Sequence, residues 1–187
     1  MAPSAVHADP QFIPSELFPY ETLSYGGRLE FFDRAGTVAV FKRRQKIRVQ
    51  AKRLYVITDR IWGDGVVFGD YWTDGLDIVE FVRDRDSWVA VLGLPRVYFA
   101  GETFELRTER RIVGGFRGSV ENWDAIMYAP ARELTIEVAG AAARRIRKPM
   151  LSAPSVRDAT VDRGADSLTL YVERPKMHSA YKLEWAW

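Results

Sequence analysis

A chain of 187 residues, 47% hydrophobic and 28% charged, is long enough to bury a core and has the composition of a folded globular protein. It holds no cysteine, which excludes disulfides, thiol nucleophiles and cysteine-ligated zinc or iron–sulfur centres. The net charge of +2 is too small for bulk charge to imply nucleic acid.

The first segment, residues 1–22, holds four of the nine prolines and no clean periodicity. It reads as an extended arm, with residues 23–187 as a single antiparallel β domain. Alternating strand-like segments then follow one another: residues 27–34, 37–49, 53–62, 66–72 and 76–82, and after them 87–92, 96–101, 103–113 and 116–128. The stretch 139–155 breaks the pattern. It fits either a short helix ended by Pro149 or a strand followed by a loop. Segments 132–138, 167–173 and 181–187 complete the set.

Alternation puts Leu134, Ile136 and Val138 on one face, and likewise Leu168, Leu170 and Val172. About ten to twelve strands with short connections leave no room for crossover helices, so pairing is expected to be antiparallel. The expected fold is an all-β antiparallel sandwich, with a closed or partly open barrel as the alternative. No segment reaches the roughly 20 apolar residues of a bilayer-crossing helix. The N-terminus has no signal-peptide pattern, so a soluble, cytoplasmic protein without membrane partners is expected.

Two W-x-D-G stretches, Trp62–Gly65 and Trp72–Gly75, flank Asp70. Asp-Gly favours tight turns, so these read as consecutive hairpins of a meander, and Gly114-Gly115 gives a third hairpin signal. Asp64, Asp70, Trp72 and Asp74 are the candidate ligand site or acidic rim. A carbohydrate-acting enzyme would pair Asp70 with one of Asp59, Asp64, Asp74 or Asp77. The acids miss the spacing of a calcium loop. The two histidines, His7 and His178, make no recognisable triad, and no P-loop, G-x-S-x-G or H-E-x-x-H occurs.

The segment from Lys42 to Arg53 carries seven cations and no acid. At period two, Lys42, Arg44, Lys46 and Arg48 share one side, and Phe41, Arg43, Gln45, Ile47 and Val49 share the other. The four cations are the candidate partner- or anion-binding face, unless acids of 59–86 or of the alternating segment 103–113 balance them. Nothing ties the chain to a family. The Cys…Trp…Cys framework of immunoglobulin domains is absent, as is the opening Gly-x-Trp of lipocalin-like barrels.

These features lean away from an enzyme. They point to a non-catalytic interaction or scaffold module that binds a protein partner through its charged sheet face. A small-ligand barrel with an aromatic interior is the second expectation and the carbohydrate enzyme the third. No catalytic residue, metal ligand or cofactor is assigned. Nucleic acid is a minor alternative partner, and a homodimer through an edge strand a secondary one.

Overall fold

A computed structural model describes residues 18–61, 63, 65–85, 87–152 and 159–187. Within them the chain forms thirteen strands. The first seven are β1 (Tyr20–Phe31), β2 (Val38–Val49), β3 (Arg53–Ile61), β4 (Val66–Thr73), β5 (Asp77–Asp84), β6 (Ser87–Phe99) and β7 (Thr103–Val113). The rest are β8 (Val120–Ile126), β9 (Glu133–Gly140), β10 (Arg147–Ser152), β11 (Ala159–Arg163), β12 (Ser167–Glu173) and β13 (Ala180–Ala186). A 3-10 turn, Ala143–Arg145, separates β9 from β10, which resolves the described part of the ambiguous stretch, 139–152, as strand, turn, strand.

Seven strands form one large sheet in the order β11-β12-β9-β1-β2-β7-β4. Two three-stranded sheets, β10-β13-β8 and β3-β6-β5, complete the molecule. None of the three closes into a barrel, so the all-β sandwich expectation holds and the closed-barrel alternative does not. The interior is packed by side chains from facing sheets. One cluster joins Leu29, Phe41 and Ile112 of the large sheet to Leu183 and Trp185 of β13. A second joins Ile47, Val49 and Leu106 to Ile57, Ala90 and Leu92 of the β3-β6-β5 sheet. A third joins Leu134, Ile136 and Leu170 to Tyr181 and Ala125. Each fully buried aliphatic or aromatic side chain contributes about 1.5–3 kcal/mol relative to exposure.

Three sequence expectations need correction. Pairing is not wholly antiparallel: β1 and β9 run parallel, with Tyr25 opposite Leu134 and Phe31 opposite Gly140. The W-x-D-G turns do not build a meander, because β3 pairs with β6 while β4 pairs with β7. Turn chemistry is right but partner choice differs. Gly65 and Gly75 have φ of 74° and 71°, the left-handed region that glycine adopts cheaply. A Cβ on Gly65 would strike the Val113 carbonyl. These turns carry the chain from sheet to sheet, as does Gly114, after which β8 pairs with β13. Finally, residues 20–22 belong to β1, not to an arm, and residues 1–17 of the expected arm lie outside the described residues. Among the described residues, no helix is long and apolar enough to cross a membrane.

Candidate functional site

The inward row of β2 reads Ala39, Phe41, Arg43, Gln45, Ile47, Val49, all buried. Its ends are apolar and its middle is polar. Phe41 packs in the cluster that includes β13, and Ile47 and Val49 pack in the cluster that includes β3 and β6. Arg43 and Gln45 therefore fall where one small sheet gives way to the other. β7, hydrogen-bonded to β2, repeats the pattern: Leu106 and Ile112 join the two apolar clusters, and Thr108 and Arg110 lie between them. β3 contributes Asp59 and β4 contributes Tyr71.

At this seam Asp59 is 4% exposed and is held by four donors. The Arg43 guanidinium donates to Oδ1. Tyr71 donates its phenol to Oδ2 at 2.8 Å, with Thr108 at 3.5 Å and Arg110 at 3.4 Å from the same oxygen. Arg43 also donates through Nε and Nη2 to the Gln45 amide oxygen, the former at 3.1 Å. The Gln45 amide nitrogen in turn donates to the Thr22 hydroxyl at 2.6 Å. The Arg43 guanidinium lies 5.6 Å from the centroid of the Tyr25 ring and that of Arg110 4.1 Å from that of Phe41. A carboxylate out of water persists as an anion only with such pairing.

The electrostatics follow. Burial works against the charge on Arg43, but Asp59 together with Tyr25, Tyr20 and Tyr71 outweighs it and holds Arg43 above the usual guanidinium range. Burial, and then the charge of Asp59, push the Tyr71 phenol well above its ordinary value. Burial raises Tyr25 as well. With both carboxylate oxygens engaged, Asp59 is built as an anchor and not as a freely accessible acid or base.

The seam opens into two clefts. The first, about 310 Å³, is lined by Tyr25, Arg43, Gln45, Asp59, Met127 and Tyr128, among others. The second, about 260 Å³, is bounded by Arg110, Phe41 and Trp123 together with Glu121 and Asp124. Arg43 and Asp59 face the first cleft and Arg110 faces the second, so one charged cluster runs between them. The Nε of Arg110 is buried with no acceptor among the described residues.

The candidates singled out from sequence lie elsewhere. Lys42, Arg44, Lys46 and Arg48 point outward as their alternation requires. Lys42 pairs with Glu30 at 2.9 Å, Arg44 with Glu105 at 2.8 Å and Arg48 with Glu21 at 3.7 Å. Lys46 stands across the ladder from Glu105. The face is largely neutralised by its own sheet. Asp70 and Asp74 reach β7 arginines, Arg111 at 3.5 Å and Arg107 at 4.0 Å, and Trp72 is half exposed. Neither carboxylate lines a cleft, Asp77 is exposed at the start of β5, and Asp64 lies outside the described residues. Of the described acids considered for carbohydrate chemistry, only Asp59 lines a cleft, and its oxygens are already committed. Tyr55 of β3 is exposed.

No family model matches the sequence, and no curated protein matches it. Solved structures do match the fold. An M1 zinc metallopeptidase from Deinococcus radiodurans superposes with a TM-score of 0.51 at 13% identity, over 88% of this chain and 42% of that one. A putative protease from Parabacteroides distasonis gives 0.54 at 8% identity, over 90% and 40%. Native yeast LTA4 hydrolase gives 0.55 at 7% identity, over 89% and 29%. The likeness is one of fold, and the chain spans less than half the length of each. It overturns the expectation of a non-catalytic scaffold docking a partner through the Lys42–Arg48 face, since the structures that share this sandwich are peptidases and a hydrolase. Neither the aromatic barrel nor the paired-Asp carbohydrate enzyme is supported by the geometry.

Of the seam residues, Asp59 entered the sequence reading only as a possible carbohydrate acid, and Arg43, Gln45, Tyr71, Thr108 and Arg110 were not read as site residues. A signal was present: two adjacent polar positions interrupt the apolar row of β2, and again that of β7.

Proposed function

We propose that this chain is the β domain of a peptidase assembly with the architecture of the M1 zinc metallopeptidases, and that the cleft beside Arg43 forms part of the wall on which a peptide lies. The observation that carries this reading is the fold shared over 88% of the chain with the Deinococcus enzyme. A mutant of that enzyme was solved with a Tyr-Ser-Ala substrate, which favours a peptide as the ligand class. The cleft suits such a ligand. Val89, Ile126 and Met127 offer apolar contact, and Thr22, Gln45 and Thr58 offer groups that pair with amides.

Zinc does not fit the residues of this chain. The sequence has two histidines, no cysteine and no H-E-x-x-H. Among the described residues, no three His, Cys, Asp or Glu side chains are grouped to hold a metal ion. Hydrolysis in this reading belongs to a separate catalytic unit, and this chain binds and orients.

Titrating the isotope-labelled chain with Tyr-Ser-Ala at millimolar concentration, followed by amide NMR shifts, tests the proposal. Shifts at Thr22, Tyr25, Gln45, Thr58 and Tyr128 are expected. No shift at saturating peptide, or shifts confined to surfaces away from the cleft, would reject it.

A further inference from the structure

The buried charges at the seam do not balance. The buried polar and charged residues among those described are Thr22, Arg43, Gln45, Asp59, Thr108 and Arg110. Two of them are permanent cations and one is an anion, leaving a formal excess of one positive charge in a region shielded from water. Among the described residues the only acid facing the first cleft is Asp59, and its oxygens are already occupied. Arg60, on the rim, is matched by Asp84 at 2.7 Å and adds no net excess. The second cleft differs, because Glu121 and Asp124 face it alongside Arg110. Arg110 thus has further acids beside it, whereas Arg43 in the first cleft has Asp59 alone, an anion it shares with Arg110.

Arg43 is the buried cation that a ligand in the first cleft meets. A guanidinium carries five N–H donors. Among the described residues three of these go to Asp59 and Gln45, which leaves two without an acceptor on a side chain that lines the cleft. Asp59, Gln45 and the Tyr25 ring fix its position, so little side-chain freedom is lost on binding. The volume of about 310 Å³ corresponds to roughly ten waters, room for one residue and its terminal group.

We infer that the first cleft selects a carboxylate, and that Arg43 receives it with its two spare N–H groups. The inference rests on the peptide reading above and specifies which part of the ligand enters. A carboxylate has two sources, the C-terminus of a peptide or an Asp or Glu side chain, and the chemistry at Arg43 is common to both.

Three probes separate the cases: acetyl-Ala-Ala as free acid, acetyl-Ala-Ala amide and acetyl-Ala-Glu amide, each titrated calorimetrically. At least one acid is expected to bind about tenfold or more tighter than the neutral amide, the ratio that one hydrogen bond to a charged group supplies. Whichever acid binds tighter identifies the source. Arg43→Gln should erase the preference. Because that variant disturbs the Asp59 cluster, Gln45→Glu provides a second test. It keeps Arg43 and supplies the missing anion, and should retain the fold while losing the preference. If amide and acids bind wild type equally, carboxylate selection is wrong while the peptide reading stands. If none of the three binds, both fall. If Gln45→Glu folds and keeps the preference, Arg43 is not the receiver.

Discussion

The outer face of β2 carries four charged groups and the inner face two polar ones, and the two faces use them in opposite ways. Outside, Lys42, Arg44 and Arg48 meet Glu30, Glu105 and Glu21 in water, where each pair is weak and screened by salt. Inside, Arg43 and Gln45 belong to a dehydrated cluster in which every partner matters. The outward row attracts attention in the sequence because it is long and of one sign. The inward pair is the one that borders a cleft. Charge density along a strand is therefore a poorer guide to a site than a polar residue where the pattern calls for an apolar one.

The comparison can be broken most forcefully at Asp59. Asp59→Asn leaves Arg43 and Arg110 buried without an anion, and should lower unfolding free energy by about 3–5 kcal/mol in urea titration. A loss under about 1 kcal/mol would mean that the seam is as wet as the outer face.

Tyr71→Phe should cost less, about 1.5–3 kcal/mol, by removing one hydrogen bond to a charged acceptor. It also changes the alkaline response. Tyr71 is raised above its ordinary value of 10.0, so it stays protonated in the folded chain at a pH where the unfolded chain has ionised. Its contribution is intact below pH 10.0 and falls away as pH rises beyond it. Stability curves of wild type and Tyr71→Phe should therefore converge above that pH.

The smallest effect is expected outside. Lys42→Met should cost about 0.2–1 kcal/mol, and less at high salt. The hydrogen bond from Lys42, with its charge, holds Glu30 below its ordinary value of 4.5. That stabilisation is present above pH 4.5 and lost as pH falls through the lower folded value. Thermal melts of wild type and Lys42→Met should separate near neutrality and meet in acid. A larger cost than Tyr71→Phe would reverse the ranking of the two faces.

The sequence carried the fold class and which side of each strand faces inward, since period two is a local property. Leu134, Ile136 and Val138 are all buried, as their alternation requires. Partner choice was not legible. Whether β4 pairs with β3 or β7 depends on which sheet buries the most surface, and Asp-Gly turns serve either outcome. The seam was hidden for the same reason. Arg43, Asp59 and Arg110 are 16 and 51 residues apart in their pairings, and only the assembled sheets bring them together.

The parallel pairing of β1 with β9 has its own consequence. β1 lies in the middle of the large sheet, yet one of its two neighbours is contributed about a hundred positions later, as in the contact of Arg28 with Glu137, 109 residues on. Until that distant neighbour arrives, β1 presents a bare backbone edge to its surroundings, open to adventitious pairing with other chains. A ribosome-bound fragment ending before β9 should therefore be aggregation-prone and dependent on chaperones, and should gain protease resistance only when the late strand docks.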